Sequence, residues 1–126
     1  MLSLLDKLGK APDSILDVVD IGAATGLSSL ALLEALPGAR QIDALDLSPH
    51  FLAVGRYLQQ QRHRTGGCAD NGRVAEPITF RHAAGEATGL PDSSVDLVSI
   101  CLVCHELPQS ATAAVVSAPS HCLPLF

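Results

Sequence analysis

The stretch Val18 to Gly26, with the sequence VVDIGAATG, decides how the rest of the chain is interpreted. Its first part completes a short β-branched and aliphatic run, Ile15 to Ile21, which is typical of a buried strand. From Gly22 onward the residues are small, and they lead directly into a segment with helical spacing, Gly26 to Leu36. A strand, a tight turn and a helix therefore follow one another. The turn brings backbone and the amino end of a helix to a place where a ligand can approach closely.

The same alternation of strand and helix continues along the chain. Val95 to Cys104 is the most continuous apolar run, so we expect this strand to be buried on both faces. Arg64 to Arg73 is polar and glycine-rich and predicts a surface loop. Strands that alternate with helices at this spacing predict an α/β fold with a parallel sheet. The further predicted elements are a strand from Gln41 to Asp46, a helix capped at Ser48 that extends to about Arg62, strands from Ile78 to His82 and from Val95 to Cys104, and a helix from Gln109 to Val116.

Length and composition narrow the class of protein. The 126 residues suit one small domain, and 48% hydrophobic residues are enough for a core. The net charge of -5 disfavours nucleic acid as a partner. No apolar stretch approaches the roughly 20 residues that cross a membrane, and no signal segment opens the chain. We therefore expect an intracellular protein, with the cytoplasm favoured and an organelle left as an alternative.

Two aspartates flank the glycine turn in the predicted fold. Ligands of such sheets bind beyond the carboxyl ends of the strands. A dinucleotide fingerprint would need glycine where Ala24 stands, and Asp20 would repel a pyrophosphate but suits an ammonium or sulfonium group. Asp46 ends the second predicted strand, about twenty residues after the turn, where a carboxylate can accept both hydroxyls of a ribose. An NAD-dependent oxidoreductase therefore remains only as a weaker alternative.

Taken in order, these motifs resemble those of the class I S-adenosylmethionine-dependent methyltransferases. VVDIGAATG (Val18 to Gly26) is similar to the first motif of that family, and ALDLSP (Ala44 to Pro49) is similar to the second. GEATGLPDSSVDLVS (Gly85 to Ser99) and HELP (His105 to Pro108) resemble the region of strand four in the type 11 branch, which includes quinone-biosynthesis C-methyltransferases. The resemblance extends from about Ile15 to about Val116, and the ordered set is more specific than any single motif.

The resemblance implies a Rossmann-like, partial doubly wound parallel sheet with the strand order 3-2-1-4 and flanking helices. Family members continue with three further strands, so a chain of this length is expected to be a truncated form without the C-terminal strands. The expected domains are a helical lead-in over residues 1–14, a partial methyltransferase domain over 15–116 and an irregular tail over 117–126. A fourth strand left at the edge of the sheet predicts self-association through that edge.

The resemblance also implies S-adenosylmethionine as cofactor and assigns residues to it. The methionine part would lie along the glycine turn, with its amino group near Asp20, and the ribose would bind Asp46. The segment Ala84 to Glu86 would face the adenine. The sequence departs from the family at Ala24, where a glycine is usual, and at Ala84, where an acidic or amide residue is frequent. The candidate cofactor-binding residues are Asp20, Gly22, Ala23, Gly26, Asp46, Leu47 and Glu86.

The segment after strand four is the candidate acceptor side. The signature of the N-methyltransferases, Asn or Asp followed by Pro-Pro and an aromatic residue, is absent, and Cys104 to Leu107 occupies its place. The resemblance therefore implies a small-molecule acceptor that is methylated on oxygen or carbon. His105 and Glu106 are candidate catalytic residues, since either could accept a proton; alternatively, they cap or orient the following helix. A different function, a non-catalytic remnant or interaction module that exposes the edge of strand four, also stays open.

Four cysteines and nearby histidines suggest cofactor motifs that we do not adopt. CLVCH, Cys101 to His105, matches the c-type haem attachment pattern. The match lies inside a predicted strand, where Cys101 and Cys104 would point to opposite faces, so we interpret them as core residues. A zinc site from Cys104, His105, His121 and Cys122 has no closed ligand spacing, and we predict no metal site.

Overall fold

The four strands form one parallel sheet. The computed structural model of the chain describes residues 9–64 and 77–123. The strand order is β3-β2-β1-β4, which confirms the predicted α/β fold and its topology. The elements are β1 (Asp17–Ile21), α1 (Leu27–Ala35), β2 (Gln41–Asp46), α2 (Pro49–Arg64), β3 (Ile78–His82), β4 (Leu97–Ile100) and α3 (Gln109–Ser117), with short 3-10 helices at Pro12–Ser14 and Ala118–Cys122.

The core consists of two apolar layers, one on each face of the sheet. Successive side chains of a strand point to opposite faces, so Val18 and Val19 of β1 belong to different layers. On the first face, Val18 packs with Leu32 of α1 and Leu52 of α2. On the second face, Val19 packs with Val115 of α3 and with residues near both ends of β4. Both faces of the central strands are therefore covered, which explains why most residues of β1 and β2 are buried.

Two glycines allow the ring of Phe80 in β3 to pack deeply in the first layer. A Cβ atom on Gly26 would lie 2.7 Å from Cζ of this ring, and one on Gly55 would lie 2.5 Å from Cε1. Gly26 also has φ +87°, a left-handed conformation that glycine adopts without steric cost. Gly26 therefore serves the packing between the start of α1 and β3.

One ion pair joins β1 to the residue before β2, and a second joins β2 to β3. Nη2 of Arg40 lies 2.5 Å from Oδ2 of Asp17, and Nε of Arg81 lies 2.8 Å from Oδ1 of Asp43. The hydrogen bond to Asp17 and the charge of this carboxylate raise the pKa of Arg40 above its ordinary value. Both arginines are exposed, so these pairs contribute little to the free energy of folding.

The fourth strand is shorter and less buried than the sequence predicts. The prediction gave a strand from Val95 to Cys104 buried on both faces, whereas β4 covers only Leu97–Ile100 and is half-buried. The extended run stops because Leu102 has φ +57°, a left-handed conformation that cannot continue a strand. Among the residues that the structure describes, β4 pairs only with β1. The apolar residues beyond Ile100 line a cavity instead of extending the sheet.

The carboxyl-terminal segment is more ordered than predicted. An irregular tail was expected from residue 117, but Ala118–Cys122 forms a 3-10 helix with Cys122 buried in the second layer. The N–H groups of Ser93 and Val95 donate to the carbonyl oxygens of His121 and Cys122, at 2.9 and 3.0 Å. These bonds attach the segment to the loop that precedes β4.

Several predictions fall largely or wholly outside the described residues. Most of the loop predicted between Arg64 and Arg73 lies there, and α2 continues to Arg64. Most of the predicted helical lead-in over residues 1–14 also lies there, and Pro12–Ser14 forms a 3-10 helix. The domain boundaries stay predictions. Within the described ranges, no helix has the length and hydropathy that a membrane span requires.

Candidate functional site

A cavity of about 820 Å³ opens at the carboxyl edge of the sheet. Ile21 pairs with both Leu45 and Ile100, so β1, β2 and β4 end at the same level. The cavity lies beyond these ends, where parallel sheets bind their ligands. Its walls come from the β1–α1 turn, the β2–α2 turn, the loop after β3, and the segment 101–107 with α3. The lining residues are Ile21, Gly22, Ala23, Ala24, Thr25, Leu27, Ser28, Asp46, Leu47, Phe51, Ala83, Gly85, Glu86, Cys101, Leu102, Val103, Glu106, Leu107, Ala111 and Val115.

The β1–α1 turn is held by hydrogen bonds within the protein. Gly22 and Ala24 have φ values of +71° and +49°, which give a compact backbone. The N–H groups of Gly22 and Ala23 both donate to the carbonyl oxygen of Leu45, at 2.8 and 3.0 Å, and Gly26 N–H donates to Ala23. These amides are therefore satisfied internally. The turn offers a ligand close approach to small residues, and its first N–H groups are directed into the protein.

Asp46 joins the ends of β1 and β2 at the cavity wall. Its Oδ2 accepts a hydrogen bond from Ala24 N–H at 2.9 Å, and its Oδ1 accepts one from Ser48 N–H at 2.7 Å. Each carboxylate oxygen has two lone pairs, so each oxygen can accept one further hydrogen bond from a ligand. Leu47, which follows Asp46, is also held by a side chain: Nε2 of His82 lies 3.0 Å from the carbonyl oxygen of Leu47. The carboxylate is thus held in one orientation by main-chain contacts.

Asp20 is fully buried beneath the turn and does not line the cavity. Its Oδ2 accepts hydrogen bonds from the hydroxyls of Ser28 and Ser29, at 2.6 and 2.7 Å. Its Oδ1 is buried without a hydrogen-bond partner among the described residues. The amino end of α1 stabilises a negative charge at this position. The predicted contact between Asp20 and the amino group of a ligand stays a prediction.

The other candidate cofactor residues divide into two groups. Gly22, Ala23, Leu47 and Glu86 line the cavity, as Asp46 does. Gly26 does not, because it faces the Phe80 ring. Glu86 is exposed on the loop after β3, beside the short bridge between Ala84 and Ala87. Five of the seven candidate cofactor-binding residues therefore line the cavity, and their contact with a cofactor stays a prediction.

The segment 101–107 forms the wall on the other side of the turn. The position that a Cβ atom of Gly22 would take is filled by Cγ2 of Val103, so Gly22 is required for this contact. Glu106 lines the cavity. His105 does not line it, and its exposed Nε2 lies 3.6 Å from Oε1 of Glu106. Of the two candidate catalytic residues, the structure brings only Glu106 to the cavity.

The cysteines are not placed as predicted. Cys101 and Cys104 lie beyond the end of β4, so the interpretation that they point to opposite faces of a strand is wrong. Cys101 is exposed on the cavity wall, and Cys104 is half-buried. Sγ of Cys122 lies 3.3 Å from Nε2 of His121. The described residues contain no group of three or more His, Cys, Asp or Glu side chains that could hold a metal ion.

Sequence reasoning missed the large apolar residues of the cavity. Leu27, Phe51 and Leu102 line it, and none was identified from the sequence. Leu107 also lines it and lies in the segment that the sequence predicted as the acceptor side. Aliphatic and aromatic side chains carry no chemical signature of a site, because most of them belong to cores. Their positions gave no signal either, because Leu27 and Phe51 lie near the starts of predicted helices and Leu102 lies inside the predicted fourth strand.

Comparison with known proteins identifies the family to which a chain with this fold and cavity belongs. The family model described as "Methyltransferase domain" matches residues 19–118. This match covers most of the chain. The chain therefore belongs to the methyltransferase domain family, and S-adenosylmethionine is the cofactor that this family implies.

Solved structures show the same fold. The YcgJ protein from Bacillus subtilis is 21% identical, with a TM-score of 0.69, and the match covers 97% of this chain and 45% of that one. An arsenic(III) S-adenosylmethionine methyltransferase from Chlamydomonas reinhardtii is 26% identical, with a TM-score of 0.69 and coverage of 86% and 36%. An S-adenosylmethionine-dependent methyltransferase from Mesorhizobium loti is 24% identical, with a TM-score of 0.62 and coverage of 93% and 46%. The chain thus spans less than half the length of these structures. A comparison with curated proteins gave no match.

Proposed function

We propose that this chain is the cofactor-binding part of an S-adenosylmethionine-dependent methyltransferase that acts on a small-molecule acceptor, on oxygen or carbon. The observation that carries the proposal is the position of Asp46. Main-chain N–H groups of Ala24 and Ser48 fix its two carboxylate oxygens at the wall of the cavity. A carboxylate held in this way retains acceptor capacity for the two hydroxyls of a ribose.

The remaining walls suit the other parts of this cofactor. Leu47 lies next to Asp46 and supplies an apolar surface for the adenine, while Glu86 is the candidate polar contact. The compact turn at Gly22 and Ala23 allows the methionine part to approach closely. Among the described residues, the charged side chains that line the cavity are all acidic, which favours a sulfonium cation and disfavours a pyrophosphate. The NAD-dependent alternative has no support from these walls.

Methyl transfer requires little covalent chemistry from the protein. The bound cofactor supplies a methyl group on a sulfonium, which is a good leaving group. The protein contributes orientation, since holding two reactants in line accounts for most of the rate gain in such reactions. Glu106 lines the cavity and is the candidate acceptor for the proton that an acceptor hydroxyl or carbon acid loses on methylation. His105, at 3.6 Å from Glu106, is a candidate positioning residue.

Calorimetric titration of the full chain with S-adenosylhomocysteine tests the proposal. Asp46→Asn removes the charge at nearly constant shape and should weaken binding by about 10- to 100-fold, because hydrogen bonds to a charged group contribute about 1.5–3 kcal/mol. Glu34→Gln is the matched control, since it makes the same change on an exposed face of α1. Circular dichroism verifies that both variants fold. Absence of binding to the wild type, or equal binding by Asp46→Asn, would refute the proposal.

The edge of β4 favours a second candidate, an interaction module. Among the residues with described positions, β4 has a neighbour on one side only. An unpaired edge presents N–H and C=O groups that can pair with another chain. Light scattering at micromolar concentrations separates the candidates. Concentration-dependent association without binding of S-adenosylhomocysteine would support the module, and a monodisperse monomer that binds this ligand would support the methyltransferase.

A further inference from the structure

Four large apolar side chains lie exposed around the mouth of one cavity. Leu27 and Leu102 are 71% and 79% exposed, and Leu47 and Phe51 are also exposed. All four line the cavity, although they come from three different parts of the chain: the start of α1, the region from the end of β2 into α2, and the segment after β4. Scattered exposed apolar residues are normal on a protein surface, whereas their convergence on one concave site is typical of a ligand groove. We call these four residues the apolar rim.

The charges of the cavity restrict what the apolar rim can bind. Three charged residues line the cavity, Asp46, Glu86 and Glu106, and all three are acidic. Over residues 9–64 and 77–123, no lysine, arginine or histidine lines it. An acceptor that carries a carboxylate or phosphate would meet the like charge of Glu106 on this wall and would find no cation among the described lining residues to pair with. A neutral ligand avoids this cost.

The sheet topology assigns the two sides of the cavity. β2 and β4 lie on opposite sides of β1, so Asp46 and the segment 101–107 flank the glycine turn from opposite directions. With the cofactor on the Asp46 side, the segment 101–107 is left for the acceptor. Leu102, Val103 and Leu107 make this wall apolar, and Glu106 is its carboxylate. A carboxylate at the end of an apolar wall suits a ligand that carries one hydroxyl donor.

From this arrangement we infer that the methyl acceptor is an uncharged, apolar molecule with a hydroxyl group, of the phenol or aryl alcohol class. This inference rests on the proposed function and names its substrate class. The hydroxyl binds Glu106, and the apolar body covers Leu27 and Leu102. On transfer, the acceptor oxygen forms its bond to the methyl group as the bond between methyl and sulfur breaks. The hydroxyl proton goes to Glu106.

Two probes of the same size test the inference, 2-naphthol and 2-naphthoate, titrated into the full chain saturated with S-adenosylhomocysteine. At pH 7 the first is neutral and the second is an anion. We expect 2-naphthol to bind at least tenfold more tightly. Leu102→Ser should weaken 2-naphthol binding by about tenfold, as expected for losing the burial of one leucine. Val116→Ser is the control, because Val116 is an exposed apolar residue of α3 that does not line the cavity.

Glu106→Gln should reduce the discrimination between the two probes. Equal binding of the two probes by the wild type, or an equal loss in Val116→Ser, would overturn the inference. If S-adenosylhomocysteine binds and 2-naphthol does not, the inference fails while the proposed function stands. If S-adenosylhomocysteine does not bind, the proposed function fails and the acceptor assignment fails with it. Cosedimentation with phosphatidylcholine vesicles that is lost in Leu102→Ser, without 2-naphthol binding, would assign the apolar rim to a membrane surface instead.

Discussion

The two sides of the cavity are built by different means. On the β2 side, main-chain hydrogen bonds determine the structure: the carbonyl of Leu45 accepts two of them and the carboxylate of Asp46 accepts two more. On the β4 side, the chain leaves the sheet after four residues and presents exposed apolar side chains such as Leu102. A wall made of directional bonds has a fixed geometry. A wall made of apolar side chains can adapt its shape, so one side suits an invariant cofactor and the other a variable acceptor.

The largest expected effect concerns the packing beneath the β2 side. Gly26→Ala would place a methyl group 2.7 Å from the Phe80 ring on a backbone with φ +87°. We expect a loss of about 3 kcal/mol in the free energy of unfolding, from strain plus overpacking. Gly89→Ala is the matched control, because Gly89 has φ +67° with open space around it, and it should lose only about 1 kcal/mol. Urea denaturation measures both. Equal losses would show that the Phe80 contact contributes nothing.

Removal of a buried hydrogen bond should have the next largest effect. Ser29→Ala deletes one of two donors to Asp20, whose other oxygen has no partner among the described residues. The expected loss is about 2 kcal/mol, which is typical for a buried hydrogen bond to a charged group. Ser28→Ala removes the other donor at a half-buried position where water can replace it, so it should cost less. Urea denaturation that ranks the two variants in the opposite order would contradict this account.

The contact between Gly22 and Val103 joins the two sides of the cavity. Disturbing it should have a smaller effect on stability and a measurable effect on ligand binding. Gly22→Ala would displace Val103, which is a half-buried side chain that can move. We expect a loss of about 1 kcal/mol in stability from the backbone conformation. Titration should show S-adenosylhomocysteine binding weakened by about tenfold, because Val103 would be pushed into the cavity. Adding Val103→Ala should restore most of the affinity; no recovery would mean that the turn itself, and not the displaced side chain, limits binding.

The smallest expected effect comes from replacing Ala24 by glycine, the residue that is usual at this position in the family. This alanine has φ +49°, and its methyl group lies at the cavity wall. Ala24→Gly relieves the backbone strain but adds conformational freedom to the unfolded chain, so stability should change by less than about 0.5 kcal/mol. Affinity for S-adenosylhomocysteine, measured by calorimetry, should rise a few-fold as the methyl group is removed. Weaker binding would show that the methyl group contacts the ligand favourably.

The second and third strands could be predicted from the sequence at both ends, and the fourth strand could not. The bounds of β2 and β3 agree with the prediction at both ends, because each is a short segment with a β-branched residue that lies between turn-forming residues. For β4 the apolar run was equally clear, but it continued past Ile100 into the cavity wall. Apolar composition alone does not distinguish a residue that faces a core from one that faces a ligand.

The site residues also divide into those that the sequence could place and those that only the folded structure could place. Asp46 was predicted from its place at a strand end, and the structure puts its carboxylate at the cavity wall. The sequence placed Asp20 just as clearly at the end of β1. In the structure, however, the hydroxyls of Ser28 and Ser29 in α1 hold its carboxylate beneath the turn. The role of those serines depends on how the first turn of the helix folds over β1. Leu27 and Phe51 were missed because their function depends only on where their side chains converge.

The carbonyl oxygen of Leu45 accepts two hydrogen bonds from the β1–α1 turn, and this has a consequence for how a bound ligand would dissociate. Because the N–H groups of Gly22 and Ala23 both donate to this one oxygen, we expect the first part of the turn to open in one step. A shift of β2 relative to β1 would release both bonds at once and would also separate Ala24 from Asp46. Local unfolding at this end of the sheet and cofactor dissociation are therefore expected to be a single cooperative event.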